Sequence, residues 1–369
     1  MHDILKNNTS EKRVLSYIVR KGASSRKEIS DKIGVTTATL TRAVSCLMEH
    51  DILRELGTME EGRVGRRQVL LDVRQDLAYV CGFDVNNRYI RITIMNLHAE
   101  ILEQKRWNYH VLTQEMLSVA LQECDKLIKQ YSPDKFLGIG LLQQGYIEGD
   151  ICFSMPIKNI KTQIENYFNM PVFMMNNTRG LAVAEAYFDE KPCKSYIVIK
   201  YGPGVGSVIV QNGEILEGSH NRAGELGHIL WNPAYHNKCP ICGKTGCLES
   251  IIGYPHLAKR IAPEIDIQCT ELTDLLKITH QKGDDALKDA LKQLALAVNM
   301  MVDIIDPEKI LLAGEIFKND TYFKLFVEYL SKNSSEFNHH KVSIISRYEK
   351  KRICAAGVMV LNHYFGGEI

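Results

Sequence analysis

The segment from Glu225 to Glu249 reads ELGHILWNPAYHNKCPICGKTGCLE, and it carries the densest chemistry in the chain. Cys239, Cys242 and Cys247 fall within nine residues and follow His228. The first two form a C-x-x-C pair, and Gly243 and Gly246 let the backbone turn tightly enough to bring Cys247 back towards it. Three thiolates and one imidazole make a closed tetrahedral set, the geometry Zn²⁺ takes in structural sites. Free cysteines are common in protein interiors; here spacing, glycines and a nearby histidine together favour a metal. Four protein ligands leave no open position, so the ion would be structural. Glu225 and Glu249 bracket the cluster. A metal that folds this loop back would bring both acids near one point, which outlines a binding site.

The pair of motifs E-L-G-H (Glu225–His228) and C-G-K-T-G-C-L-E (Cys242–Glu249) resembles the signature of the ROK family, which contains sugar kinases and sugar-responsive transcriptional repressors. The family pattern places one residue between its first two cysteines, whereas this chain has Pro240 and Ile241 there. The resemblance implies a ribonuclease-H-like, actin-like fold of two α/β lobes, preceded in the repressors by a winged helix-turn-helix.

Composition sets wider bounds. A chain of 369 residues, 45% hydrophobic and 24% charged, is long enough for two or three domains with substantial cores. No apolar run approaches a membrane span, and MHDILKNN lacks the pattern of a secretory signal. Ten cysteines, three of them clustered, fit a reducing cytoplasm better than a disulfide framework. The formal net charge is +1, but residues 1–75 hold 14 Lys/Arg against 10 Asp/Glu, so the remainder is slightly acidic.

Those first 75 residues read as a DNA reader. Val14, Leu15, Ile18 and Val19 share a helical face in residues 11–20, and the Gly22–Ala23 break ends that helix. Ser24 or Ser25 caps the next helix, RKEISDKI, which Gly34 closes. A third helix opens at Val35–Thr37, with Leu40, Val44, Leu47 and Met48 on its apolar face. After Leu53 the pattern becomes two short strands around the tip EEGRVGRRQ, a wing. Thr36, Thr37, Thr39, Thr41 and Arg42 then face a double-stranded operator from the third helix, where hydroxyls bond phosphates or bases and Arg pairs with guanine. Arg63, Arg66 and Arg67 on the wing suit phosphate contact or minor-groove insertion.

From Leu77 onward strands alternate with helices, the mark of α/β architecture. The strand-like runs are AYVCGFDV, YIRITIMN beyond a turn at Asn86–Asn87, FLGIGLL, PVFMMNN and SYIVIKYGPGVGSVIV. Helices are expected after the cysteines through residue 305, then a last strand, KILLAGE, amphipathic segments and a C-terminal helix. Domain boundaries follow: 1–75 for the reader, 76–190 for a first lobe completed by the C-terminal helix, and 191–369 for a second lobe with the zinc loop.

The resemblance also implies what the chain has lost. ROK kinases carry D-x-G-G-T at the first strand turn, where this chain has Asp84-Val85-Asn86-Asn87-Arg88. Their catalytic base is the Asp of E-N-D-A; the matching Met175-Asn176-Asn177-Thr178 puts an amide there, with no useful proton affinity. The turn G-T-G-x-G reads Gly202-Pro203-Gly204-Val205-Gly206, and the last glycine turn reads Ala313-Gly314-Glu315. Kinase activity is therefore not expected; an ATP-dependent sugar kinase with an appended DNA-binding domain is the alternative. Sugar contacts are better kept: Asn176, Asn177, Glu225, His228 and Glu249 match positions that meet sugar hydroxyls in the family. The family's P-G turn is Gln144–Gly145 here and its P-N-L is Pro156-Ile157-Lys158, which points to an unusual or phosphorylated sugar, with Lys158 or Arg222 as an anion partner. The expectation is a cytoplasmic, sugar-responsive repressor acting as a homodimer or homotetramer, with no membrane partner.

Overall fold

The computed structural model describes residues 9–58, 69–189, 193–236, 238–239, 241–263, 272–278, 280–332 and 342–366. The chain divides into two compact units: Met1–Gln144 with Gly149–Asp189 and Lys351–Glu368, and Gly145–Glu148 with Glu190–Lys350.

Among the described residues the first unit begins with three helices, α1 (Ser10–Lys21), α2 (Arg26–Ile33) and α3 (Thr37–Glu49). Each starts on a hydroxyl cap: Thr9 accepts from Lys12 N, Ser25 from Glu28 N and Thr36 from Thr39 N. Such caps stabilise a helix start by about 1 kcal/mol each. Gly34 ends α2 in the left-handed region, at φ 64°. Val14, Leu15, Ile18, Val19, Ile29, Leu40, Val44 and Leu47 form the shared core. Met48 does not join it, being 36% exposed; Leu40, Ala43, Val44 and Leu47 lie within one arc of the helix, and Met48 falls at its rim. Strand β1 (Ser24–Ser25) pairs with β3 (Val69–Val73), which pairs antiparallel with β2 (Leu53–Thr58). This is the element order of a winged helix-turn-helix. Arg63, Arg66 and Arg67, expected at the wing tip, lie outside the described residues.

A five-stranded sheet follows. Strands β4 (Tyr79–Val85), β5 (Tyr89–Asn96) and β6 (Ile101–Asn108) form an antiparallel meander, and after α4 (Gln114–Gln130) strand β7 (Phe136–Gln143) runs parallel beside β4. After α5 (Ile160–Phe168), β8 (Val172–Asn176) runs parallel to β7 and leads into α6 (Asn177–Phe188). Strands β4 and β7 are buried along their whole length, in keeping with runs that are apolar except for Asp84 and Gln143 near their ends. The C-terminal helix (Tyr348–Phe365) lies so close to this sheet that a side chain at Gly140 would overlap the Ala356 carbonyl. Lys351 on that helix pairs with Glu185 of α6 at 2.6 Å, both almost fully buried. At the β5–β6 turn, His98 Nε2 lies 2.9 Å from Asp72 Oδ1 of β3 and Nδ1 lies 3.3 Å from the Val19 carbonyl of α1, so the helical segment and the sheet are joined within this unit.

The second unit repeats the pattern. Strands β9 (Tyr196–Tyr201), β10 (Val205–Gln211) and β11 (Glu214–Ile215) are antiparallel, and β12 (Lys309–Ala313) and β13 (Val342–Ile344) extend the sheet in parallel from β9. Both sheets thus have one connectivity, a three-strand meander widened by two parallel strands. Between β11 and β12 come α7 (Leu248–Ile252), α8 (Tyr254–Ile261), α9 (Leu272–Ile278) and the long α10 (His280–Ile305); α11 (Asp320–Lys332) precedes β13. The core packs Ile197, Ile199, Tyr201, Leu291, Leu294, Ile310, Leu312, Phe317 and Phe326. The sequence predicts KILLAGE as the last strand, and the structure adds β13 beyond it. Three residues are too short to show a period, and only the edge of β12 defines them as a strand.

Candidate ligand and metal site

In the second unit a single 3₁₀ turn, Leu226–His228, carries His228 towards a knuckle made by the cysteine loop. Trp231 N and Asn232 N both donate to the Gly246 carbonyl, and Leu230 bridges Cys247. Cys239 N donates to the Lys244 carbonyl at 2.7 Å and Gly243 N to the Cys239 carbonyl at 2.9 Å. Gly246 has φ 74° and sits so close to the Asn232 carbonyl that no side chain fits there.

The result is four donor atoms, from His228, Cys239, Cys242 and Cys247, all within 4.8 Å of one another. Cys239 Sγ is 3.7 Å from His228 Nδ1, and Cys242 Sγ is 3.5 Å from Cys247 Sγ. Donors around a tetrahedral ion with bonds of ~2.3 Å stand roughly 3.7 Å apart, so this set fits a metal ion. Burial, then the Lys244 ammonium and the Arg222 guanidinium, lowers the pKa of His228 and keeps its lone pair available. Burial, reinforced by the neighbouring thiols, pushes Cys247 up to about 12 and raises Cys239. A divalent cation at the centre offsets that cost by favouring thiolates.

Two of the expected sugar contacts converge on the same place. Glu249 lies in the first turn of α7, two residues after Cys247, and Glu225 precedes the turn that holds His228, with His228 Nε2 3.9 Å from Glu225 Oε2. Glu249 accepts the Val205 N–H at 2.9 Å. Burial, with a smaller contribution from the Glu225 charge, raises it to about 7. A Cβ at Gly204 would stand 2.7 Å from Glu249 Oε2, so the glycine leaves room for the acid. Carboxylates and an imidazole side by side recognise vicinal hydroxyls, since each oxygen accepts and each ring N–H donates. Arg222 stacks on the Tyr146 ring at 4.4 Å, placing a cation near His228.

Asn176 and Asn177 belong to the first unit, at the junction of β8 and α6. Asn176 Oδ1 caps the helix by accepting from Thr178 N at 2.8 Å, and Thr178 Oγ1 donates to Asn177 Oδ1 at 3.3 Å. Lys158, in the same unit, donates to the Phe153 carbonyl at 2.5 Å. The strand turns that matched kinase motifs are occupied internally. Asn86 Oδ1 accepts from Arg88 N and Tyr89 N, and the Val205 N–H is taken by Glu249. At the last glycine turn, Glu315 is exposed and pairs with Lys318 at 2.7 Å.

On α3, Thr36, Thr37, Thr41 and Arg42 are exposed and Thr39 is half-buried. Thr36 Oγ1 accepts from Thr39 N and shares a bond with the Thr39 hydroxyl, and Thr41 donates to the Thr37 carbonyl. Residues passed over in the sequence include His98, Arg91 and Arg352. Arg91 had a signal: it is the one charge in the apolar run YIRITIMN, on a strand covered on both sides.

The class defined so far is a ribonuclease-H-like pair of α/β lobes with a metal-ready cysteine loop, preceded by a winged-helix segment. The chain belongs to the ROK family, whose family model matches residues 80–364. It is 23% identical to the xylose repressor of Caldicellulosiruptor bescii, over 95% of this chain and 94% of that protein. It is 24% identical to the DNA-binding transcriptional dual regulator NagC of Escherichia coli, over 83% of this chain and 80% of that one. Among solved structures, a ROK family transcriptional regulator described as a homologue of the E. coli MLC protein superposes with TM-score 0.76 at 22% identity, covering 99% of this chain and 98% of that one. A ROK glucokinase from Streptomyces griseus superposes with TM-score 0.61 at 17% identity over 76% of this chain and 98% of that one. No helix among the described residues is long and apolar enough to cross a membrane.

Proposed function

We propose that this chain is a sugar-responsive transcriptional regulator, a repressor of carbohydrate uptake or catabolism genes, whose kinase-type lobes bind a sugar without phosphorylating it. One observation carries the reading: Glu249, a sugar-contact position, takes the Val205 N–H of the very turn that would cradle phosphate in a kinase. Asn177 at the base position supports it, because an amide cannot remove a hydroxyl proton. The named repressors that align along nearly the whole chain, or four fifths of it, point the same way.

Residues 1–75 are the reader, with Thr36, Thr37, Thr39, Thr41 and Arg42 on DNA together with Arg63, Arg66 and Arg67 of the wing. Residues 76–190 and 191–369 form the sensor lobes. Glu225, His228 and Glu249 of the second lobe bond sugar hydroxyls, and Asn176 and Asn177 are the sugar-contact positions of the first. Zn²⁺ held by His228, Cys239, Cys242 and Cys247 is a structural cross-link that fixes the loop bearing the two acids. A homodimer reads a two-part operator far more tightly than one copy does. The sugar acts by favouring one conformation of the sensor, which shifts the population competent for DNA.

The test combines two assays. Incubation with ATP and a panel of hexoses, pentoses and N-acetylhexosamines should give no sugar phosphate above background. One of those sugars should raise the melting temperature and weaken binding to DNA from upstream of sugar-utilisation genes. Phosphorylation of any sugar sinks the sensor reading in favour of a kinase, and a panel with no response sinks the sugar.

A further inference from the structure

Helix α10 buries one side and leaves apolar residues bare on the other. Successive helical residues advance by about 100°, so Ala290, Leu291, Leu294, Ala297 and Val298 share one arc, and all are fully buried in the core of the second unit. The opposite arc carries Leu296, which is half-buried, Met300, which is 54% exposed, and Ile304, which is 80% exposed. A surface helix ordinarily turns polar residues outward, and an apolar patch with a polar rim marks an interaction site. The patch continues beyond the helix: Gln293 accepts from Trp231 Nε1 at 3.0 Å, and Leu230, next to Trp231, is 64% exposed.

Two charges border this arc, Lys292 and Asp303. Both are exposed, and neither side chain has a hydrogen-bond or ion-pair partner among the described residues. Lys288 and Asp289, by contrast, are engaged with Asp284 and Gln293. Asp303 follows Lys292 by 11 residues. That is three helical turns and about 20°, so both stand on the same edge of the apolar arc, roughly 16 Å apart along the helix axis.

We propose that this face of α10 is where two copies of the chain meet, with the two helices antiparallel about a two-fold axis level with Ala297 and Val298. Such an axis reverses direction along the helix but keeps each edge of the arc on its own side. Lys292 of either copy therefore faces Asp303 of the other, and the ion pair forms twice. Leu296 and Met300 of the two copies meet in the middle, and Ile304 of one reaches the Trp231 side of the other. A parallel pairing would set Lys292 against Lys292 and Asp303 against Asp303, which like-charge repulsion opposes. The occupant is a second copy because the complement this face needs is the one it carries itself. The proposal rests on the homodimer of the regulator reading and supplies its surface; it requires neither sugar nor metal.

The full-length chain is sedimented over a range of concentrations, wild type beside Lys292→Glu, Asp303→Lys, the double reversal and Met300→Glu. Each single reversal sets like charges against each other twice and should raise the dissociation constant at least tenfold. Met300→Glu places two carboxylates at the centre and should halve the sedimenting mass at concentrations where the wild type stays associated. The double reversal restores both ion pairs and should return the wild-type mass, which also shows that the reversed chains fold. An associated wild type whose variants all associate equally well puts the contact on another face, overturning the proposal while leaving the homodimer. A monomeric wild type overturns both, and a double reversal no better than the single ones overturns the antiparallel pairing and the proposal with it.

Discussion

The Glu249 carboxylate accepts the backbone N–H of Val205 at 2.9 Å, across a turn where Gly204 has no side chain to stand in the way. That bond joins the end of the cysteine loop to the β9–β10 turn. It explains why a motif suited to phosphate in one setting presents an acid in another.

Gly204→Ala follows from it. A new Cβ would lie 2.7 Å from Glu249 Oε2 and push the carboxylate aside. Because the displaced group is the end of a flexible side chain, the stability cost should stay below about 1 kcal/mol. Sugar affinity should fall at least tenfold, read as loss of the sugar-induced melting shift. Unchanged affinity would remove Glu249 from the site.

Metal content tests the cysteine knuckle directly. Purified protein should hold one equivalent of zinc per chain by elemental analysis, and Cys247→Ser should lose it along with several degrees of melting temperature. Chelation of the wild type should reproduce the variant's melting curve. A metal-free wild type with the same stability as the variant would leave the four donors as ordinary core residues.

The buried Lys351–Glu185 pair makes a stability prediction. Removing one partner strands a charge, so Glu185→Leu alone should cost about 3–5 kcal/mol. Glu185→Leu with Lys351→Met should cost markedly less than that single change, because both charges leave together. Denaturant titration of the double-mutant cycle measures it, and additive losses would contradict the argument.

On the reader, Arg42→Ala should weaken operator binding and relax base preference at one position, costing about 1–3 kcal/mol. Thr36→Ala should act differently, since Thr36 caps α3: about 1 kcal/mol of stability should go with the affinity. Anisotropy on operator variants, paired with melting curves, separates the two. Equal specificity profiles for Arg42→Ala and wild type would place that arginine off the bases.

His98 joins two segments that the sequence shows as unrelated. It bonds Asp72 of β3 and faces the Val19 carbonyl of α1. His98→Ala should loosen the winged-helix segment, raising its proteolytic susceptibility while the sheet of the same unit keeps its hydrogen-exchange protection. Uniform change across the unit would show that His98 only fills space.

Much of this protein is local and could be read from the chain. The caps at Ser25 and Thr36, the glycine stop at Gly34 and the spacing of Val14, Leu15, Ile18 and Val19 define the helices, because each depends on neighbours within four residues. The knuckle around Cys239–Cys247 is local too, so the gathering of its three thiols was legible. What sequence could not supply is what meets across strands and between distant segments. β13 exists only because β12 offers it an edge, and Arg91 meets Asp84 and Arg106 only after β4, β5 and β6 are assembled in register. Periodicity records which side of an element is apolar; which charges share that side is decided by register and packing, and those are properties of the folded chain.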